Sequence, residues 1–142
     1  MKIIGISKLM SRFFLMLALG SIFFSCKNSD DDDDPAPGSH GIEVATGVFK
    51  GTMKIQGQDY YNAIVNVSKT GDSYVKVQPK SGEAYSAATS KTFNVTNSAG
   101  VSVSGNDSQG SFNYMISSKS LQISTQKASE NEVAFYFEGE KQ

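Results

Sequence analysis

The sequence predicts an all-β fold, a small antiparallel eight-stranded up-and-down barrel, with a two-sheet β-sandwich as the alternative. Three observations point there. From Gly41 onward, apolar and polar residues alternate at period two. The alternating runs are separated by short stretches rich in Gly, Asn, Asp and Ser. No segment of this region keeps a helical period, and the nearest, "EAYSAATS", is too short to stand alone.

The strands follow in order. "GVFKGTMKIQ" sets Phe49, Met53 and Ile55 on one face and Lys50, Thr52 and Lys54 on the other. "YNAIVNVSK" sets Tyr61, Ala63, Val65 and Val67 inward. "SYVKVQ" offers Val75 and Val77, "TFNVT" offers Phe93 and Val95, and "GVSVS" offers Val101 and Val103. "SFNYMIS" offers Phe112, Tyr114 and Ile116, "SLQISTQ" offers Leu121 and Ile123, and "EVAFYFEG" offers Val133, Phe135 and Phe137. Lys69-Thr70-Gly71-Asp72 reads as a tight hairpin with Gly71 free to take positive φ. Only the connection from Pro79 to Lys91 is long. Short loops pair sequence neighbours in space. Closing such a sheet into a barrel buries one face and removes the exposed edges.

Before this domain the chain changes character. Residues 1–25 read as a secretory signal: Lys2, Lys8 and Arg12 precede an apolar run, Phe13 to Phe24, too short to span a membrane. The only cysteine, Cys26, follows the small Ser25. A lone cysteine in an exported chain has no intramolecular partner. With bulky Phe23 three positions before it, this box resembles the substrates of the lipoprotein signal peptidase. The resemblance implies a lipidated Cys26 and attachment to a membrane through its acyl chains. Residues 26–41 read as a disordered tether, because five adjacent aspartates repel and Pro35, Pro37 and Gly38 oppose regular structure. The segment Lys27, Asn28, Ser29, Asp30, Asp31, Asp32, Asp33 and Asp34 resembles the acidic export signal of Bacteroidetes-type surface lipoproteins. That resemblance implies an outer-membrane protein facing the cell exterior. Residues 42–142 form the barrel domain.

The layout from "TGVFKGTMKI" to "FYFEGEK" resembles the calycin-like (lipocalin-like) barrels of Bacteroidetes lipoproteins. Gly47-Val48-Phe49 stands where lipocalins have Gly-x-Trp. The domain holds neither Trp nor Arg, so the Trp–Arg packing of lipocalins cannot form.

Composition excludes several chemistries. Residues 35–142 carry nine lysines and nine acids, which excludes the basic excess of a nucleic-acid binder. The only histidine, His40, lies in the tether, so the domain has no His-based triad and no imidazole zinc site. "GNDSQG" supplies a single carboxylate and reads as a turn rather than a calcium loop. The expectation is a non-enzyme without cofactor or metal.

Two functions from different classes remain. One is a binding module that takes a small apolar molecule or a glycan at the barrel mouth, with Tyr61, Tyr114 and Tyr85 as candidate ligand-binding residues. The inward aromatics either line such a cavity or simply fill the core. The other is an interaction protein that docks on another envelope protein through an outer apolar patch, since Ile64, Tyr74, Met115, Ala134 and Tyr136 fall opposite the core and Val133–Phe137 is apolar on both faces. "SGEAYSA" (81–87) also resembles the Ser-Gly-x-x-Tyr loop of small barrel lipoproteins that inhibit lysozymes, which implies a third, enzyme-inhibiting role.

Overall fold

The computed structural model describes residues 41–142; the expected signal peptide, Cys26 and the acidic segment lie outside the described residues. After a short 3-10 helix, Ile42–Ala45, come nine strands: β1 Gly47–Ile55, β2 Gln58–Gly71, β3 Tyr74–Pro79, β4 Lys91–Asn94, β5 Thr96–Ser98, β6 Ser102–Asp107, β7 Gly110–Met115, β8 Ser120–Thr125 and β9 Tyr136–Lys141. All belong to one antiparallel sheet in the order β4-β3-β2-β1-β9-β8-β7-β6-β5. The first and last strands therefore pair, Phe49 opposite Lys141 through Lys54 opposite Tyr136.

The two ends of that order are one stretch of chain. β4 pairs with β3 and β5 pairs with β6, and only Val95 separates them. The Val95 N–H turns to the Ser73 carbonyl at 2.8 Å, and the Asn94 N–H to Asp107 Oδ2 at 3.0 Å. This corner brings the sheet back on itself as a nearly closed, up-and-down barrel, not a two-sheet sandwich. It also explains nine strands where eight are expected: "TFNVT" is divided at Val95. Gly105 makes the corner possible, because a Cβ there would lie 1.9 Å from the Asn94 carbonyl oxygen.

Alternation sorts the two faces as the sequence predicts. Phe49, Met53, Phe93, Phe112, Tyr114, Leu121, Ile123 and Phe137 are buried inside. Each such side chain stabilises the fold by about 1.5–3 kcal/mol relative to exposure. Two hairpins turn on positive φ at both central residues, Gln56-Gly57 (φ 50 and 87) and Ala99-Gly100 (φ 52 and 76).

Four local expectations are corrected. Val101 does not face inward; its N–H closes the Ser98–Val101 turn, and it is 60% exposed. Gly71 has no positive φ, and the turn falls on Asp72-Ser73 instead. The last strand begins at Tyr136 rather than Glu132, so residues 126–135 form a second long connection. Tyr61 points outward, for a reason that lies in its pairing with β1. Gly51 pairs with Ala63 and Met53 with Tyr60, so Tyr61 and Asn62 together oppose Thr52. This β-bulge inserts one residue and inverts the alternation upstream of it. Tyr60 is partly buried against the core, and Tyr61 is 73% exposed.

Candidate functional site

The three candidate tyrosines do not converge. Tyr114, on the inner face of β7, is 2% exposed and packs edge-to-face on Phe49 with ring centroids 5.6 Å apart. Burial pushes its hydroxyl pKa up. Tyr85, in the long 80–90 loop, is 6% exposed. Its hydroxyl accepts the Ile64 N–H at 2.9 Å, and its ring meets Tyr60 edge-to-face at 6.1 Å. Tyr61 stands alone on the outer wall.

The loop carrying Tyr85 covers the end of the barrel where a mouth is expected. Two turns hold it, Ser86 N–H to the Glu83 carbonyl and Ala88 N–H to the Tyr85 carbonyl. Tyr85 and Ala88 are buried beneath it. The 126–135 connection joins the same closure: the Thr89 N–H donates to the Val133 carbonyl at 3.0 Å and the Val133 N–H to Thr89 Oγ1 at 2.9 Å. Thr125 and Phe135 exchange a similar pair, the Thr125 N–H donating to the Phe135 carbonyl and the Phe135 N–H to Thr125 Oγ1.

At this end sits a buried cation that the sequence reading overlooked. Lys91 has a side chain only 1% exposed. Its Nζ donates to Glu132 Oε2 at 2.6 Å and to Gln109 Oε1 at 3.0 Å. Glu132 Oε2 also accepts the Ala128 N–H at 2.6 Å. The hydrogen bond from Lys91, then that from Ala128, hold the Glu132 carboxyl below its ordinary pKa. A signal was available: Lys91 is in phase with Phe93 and Val95, which makes it an inward lysine by the same alternation that buries them.

The opposite end is closed by the 3-10 helix. Ile42 and Ala45 are buried against the core. Asn97 Nδ2 donates to the Gly41 carbonyl at 2.8 Å, and Lys141 Nζ to the Val44 carbonyl at 3.1 Å. Burial, with repulsion from Lys119, lowers the Lys141 pKa. At the exposed rim Lys69 pairs with Glu43, which lowers the Glu43 pKa and raises that of Lys69.

The outer wall carries the open surface. A depression of about 570 Å³ lies across β2, β1 and β9, walled by Tyr61 and Asn62 and edged by Lys50, Glu140 and Gln142. A smaller one, about 180 Å³, lies over β7, β8 and β9 beside Asn113, Gln122 and Glu138. The expected apolar patch at 133–137 is not formed. Phe135 and Phe137 are buried, Val133 and Ala134 are half-buried, and the Tyr136 hydroxyl accepts from Gln122 Nε2 and donates to Glu138. Among the described residues, no three His, Cys, Asp or Glu side chains gather where they could hold a metal ion.

Comparison of the chain with protein-family models, with curated proteins and with solved structures finds no match.

Proposed function

We propose that this protein is an outer-membrane lipoprotein, anchored through lipid on Cys26 and turned to the cell exterior by the acidic segment Lys27–Asp34, whose barrel is a non-catalytic binding module. What supports the binding part is where open surface remains. Side chains pack the interior, the 3-10 helix and the Tyr85 loop cover the two ends, and a depression of about 570 Å³ is open on the outer wall. Binding therefore takes place on the outside of the barrel, not within it. A solvent-exposed, polar-edged depression suits a glycan better than an apolar molecule, which needs an enclosed apolar lining.

The inhibitor reading lacks such support, because the Tyr of "SGEAYSA" is inside the fold rather than offered to an enzyme cleft. The docking reading is less supported, because Val133–Phe137 is largely covered and of the outer apolar residues it names only Tyr74 is strongly exposed.

Two measurements test the proposal. Replacing Asp30–Asp34 with alanines should leave the domain folded and protect it from protease added to intact cells. Equal shaving of variant and wild type would remove the export reading. Native mass spectrometry of the mature protein, purified from its own host without denaturation, should show no lipid-sized adduct beyond the anchor. A tightly retained apolar adduct would replace outer-wall binding with binding in the interior.

A further inference from the structure

Two irregularities meet at the depression beside Tyr61. The first is the bulge. It turns Tyr61 outward and sets Asn62 at φ 59, the left-handed region that Asn tolerates better than most residues. The second is a glycine pair. Gly51 and Gly139 are register partners across β1 and β9. A Cβ at Gly51 would lie 2.0 Å from the Glu138 carbonyl oxygen, and one at Gly139 would lie 2.5 Å from the Lys50 carbonyl oxygen. Without those side chains the two backbones approach closely beside the raised tyrosine.

The groups at the edge are polar and balanced in charge. Lys50 and Glu140 are direct cross-strand partners on the outer face. Among the described ion pairs within 4.0 Å, neither takes part. An ammonium, a carboxylate and the amides of Asn62 and Gln142 thus gather around one exposed aromatic ring, the Gln142 Nε2 also donating to the Glu140 carbonyl at 3.2 Å. A single ammonium opposed by a carboxylate is a poor seat for a polyanion, and one ring is too little apolar surface for a lipid chain. Both faces of a sugar are matched. Its C–H face stacks on an aromatic ring, and its hydroxyls both donate and accept, as this set of groups requires.

We propose that the depression is a carbohydrate subsite, in which Tyr61 stacks on a neutral hexopyranose unit and Lys50, Asn62, Glu140 and Gln142 hydrogen-bond its hydroxyls. The inference rests on the binding-module reading and adds to it a site and a ligand class. The volume, about 570 Å³, and the openness to solvent suit a unit within a chain rather than an enclosed monosaccharide.

The test is affinity electrophoresis of the full mature lipoprotein, in a detergent without a sugar headgroup. Native gels contain hydroxyethylcellulose, soluble starch or galactomannan, with heparin as the polyanion comparison. At least one neutral polysaccharide should retard the wild type, and heparin should not. Tyr61→Ala should weaken that association about tenfold or more, as loss of a central aromatic contact does. Tyr61→Phe keeps the ring and should stay close to wild type, as should Tyr74→Ala, which removes another exposed tyrosine elsewhere. Tyr61 is exposed, so circular dichroism of Tyr61→Ala should match the wild type. Retardation that survives Tyr61→Ala would overturn the site and leave the binding module standing. Retardation by heparin alone would overturn the ligand class. No retardation by any neutral polysaccharide would overturn the inference outright, and the wider reading would then rest on native mass spectrometry.

Discussion

The two ends of the barrel are closed by different physics. At one end a single turn of 3-10 helix inserts Ile42 and Ala45, and its rim ion pair, Lys69 with Glu43, is exposed to solvent. At the other end a long loop inserts Tyr85 and Ala88, and a buried ammonium ties that closure to two further connections through Gln109 and Glu132. The helix end rests on shape and hydrophobicity, with Asn97 and Lys141 donating to the Gly41 and Val44 carbonyls at its margin. The polar closure needs each buried donor to meet its acceptor, because an unpaired buried charge is strongly destabilising. The loop end should therefore be the more sensitive of the two to single substitutions.

Tyr85→Ala should show the largest effect. It removes a buried ring and leaves the Ile64 N–H without its acceptor, so urea unfolding should report a loss of about 3–5 kcal/mol. Ile42→Ala probes the helix end by packing alone and should lose about 2 kcal/mol in the same measurement. A larger loss for Ile42→Ala than for Tyr85→Ala would reverse the contrast between the ends.

Glu132→Gln sharpens the comparison through pH. The Glu132 pKa is lowered in the folded protein, so its stabilising contribution is complete above its ordinary value of 4.5. That contribution is lost as pH falls through the lowered folded value. Thermal unfolding should place the variant below wild type at pH 7, with the gap narrowing as pH drops below 4.5. A gap independent of pH would mean that the charge of Glu132 is not what holds Lys91. The smallest effect belongs to Glu43→Gln. Its partner Lys69 is at the solvent-exposed rim, where ion pairs contribute little, and the melting curve at pH 7 should not move measurably.

Much of the wall was legible in the alternation. Phe49, Met53 and Ile55 on β1, or Leu121 and Ile123 on β8, are buried as period two requires. The same rule marks Lys91, in phase with Phe93 and Val95, although a charge at an inward position reads as a strand end until its partners are known. Tyr61 shows where the rule stops. Its phase with Ala63, Val65 and Val67 is correct in the sequence, and a bulge opposite Thr52 reverses it. No residue of "YYNAIV" announces that bulge by itself, since either tyrosine could face the core.

The candidate site was legible only as a choice of residue. Tyr61 was singled out, but for a barrel mouth that the Tyr85 loop covers, and together with Tyr114, which packs on Phe49 instead. The all-β class, the turn-rich strand order and most of the inward face follow from local pattern, because period-two alternation and turn chemistry act over a few neighbouring residues. Only the tertiary structure decided the Val95 corner, the two end closures and the outward Tyr61, because each depends on a partner distant in the chain: Ser73 and Asp107 for the corner, Glu132 for Lys91, and the Gly51–Gly139 seam for the wall beneath Tyr61.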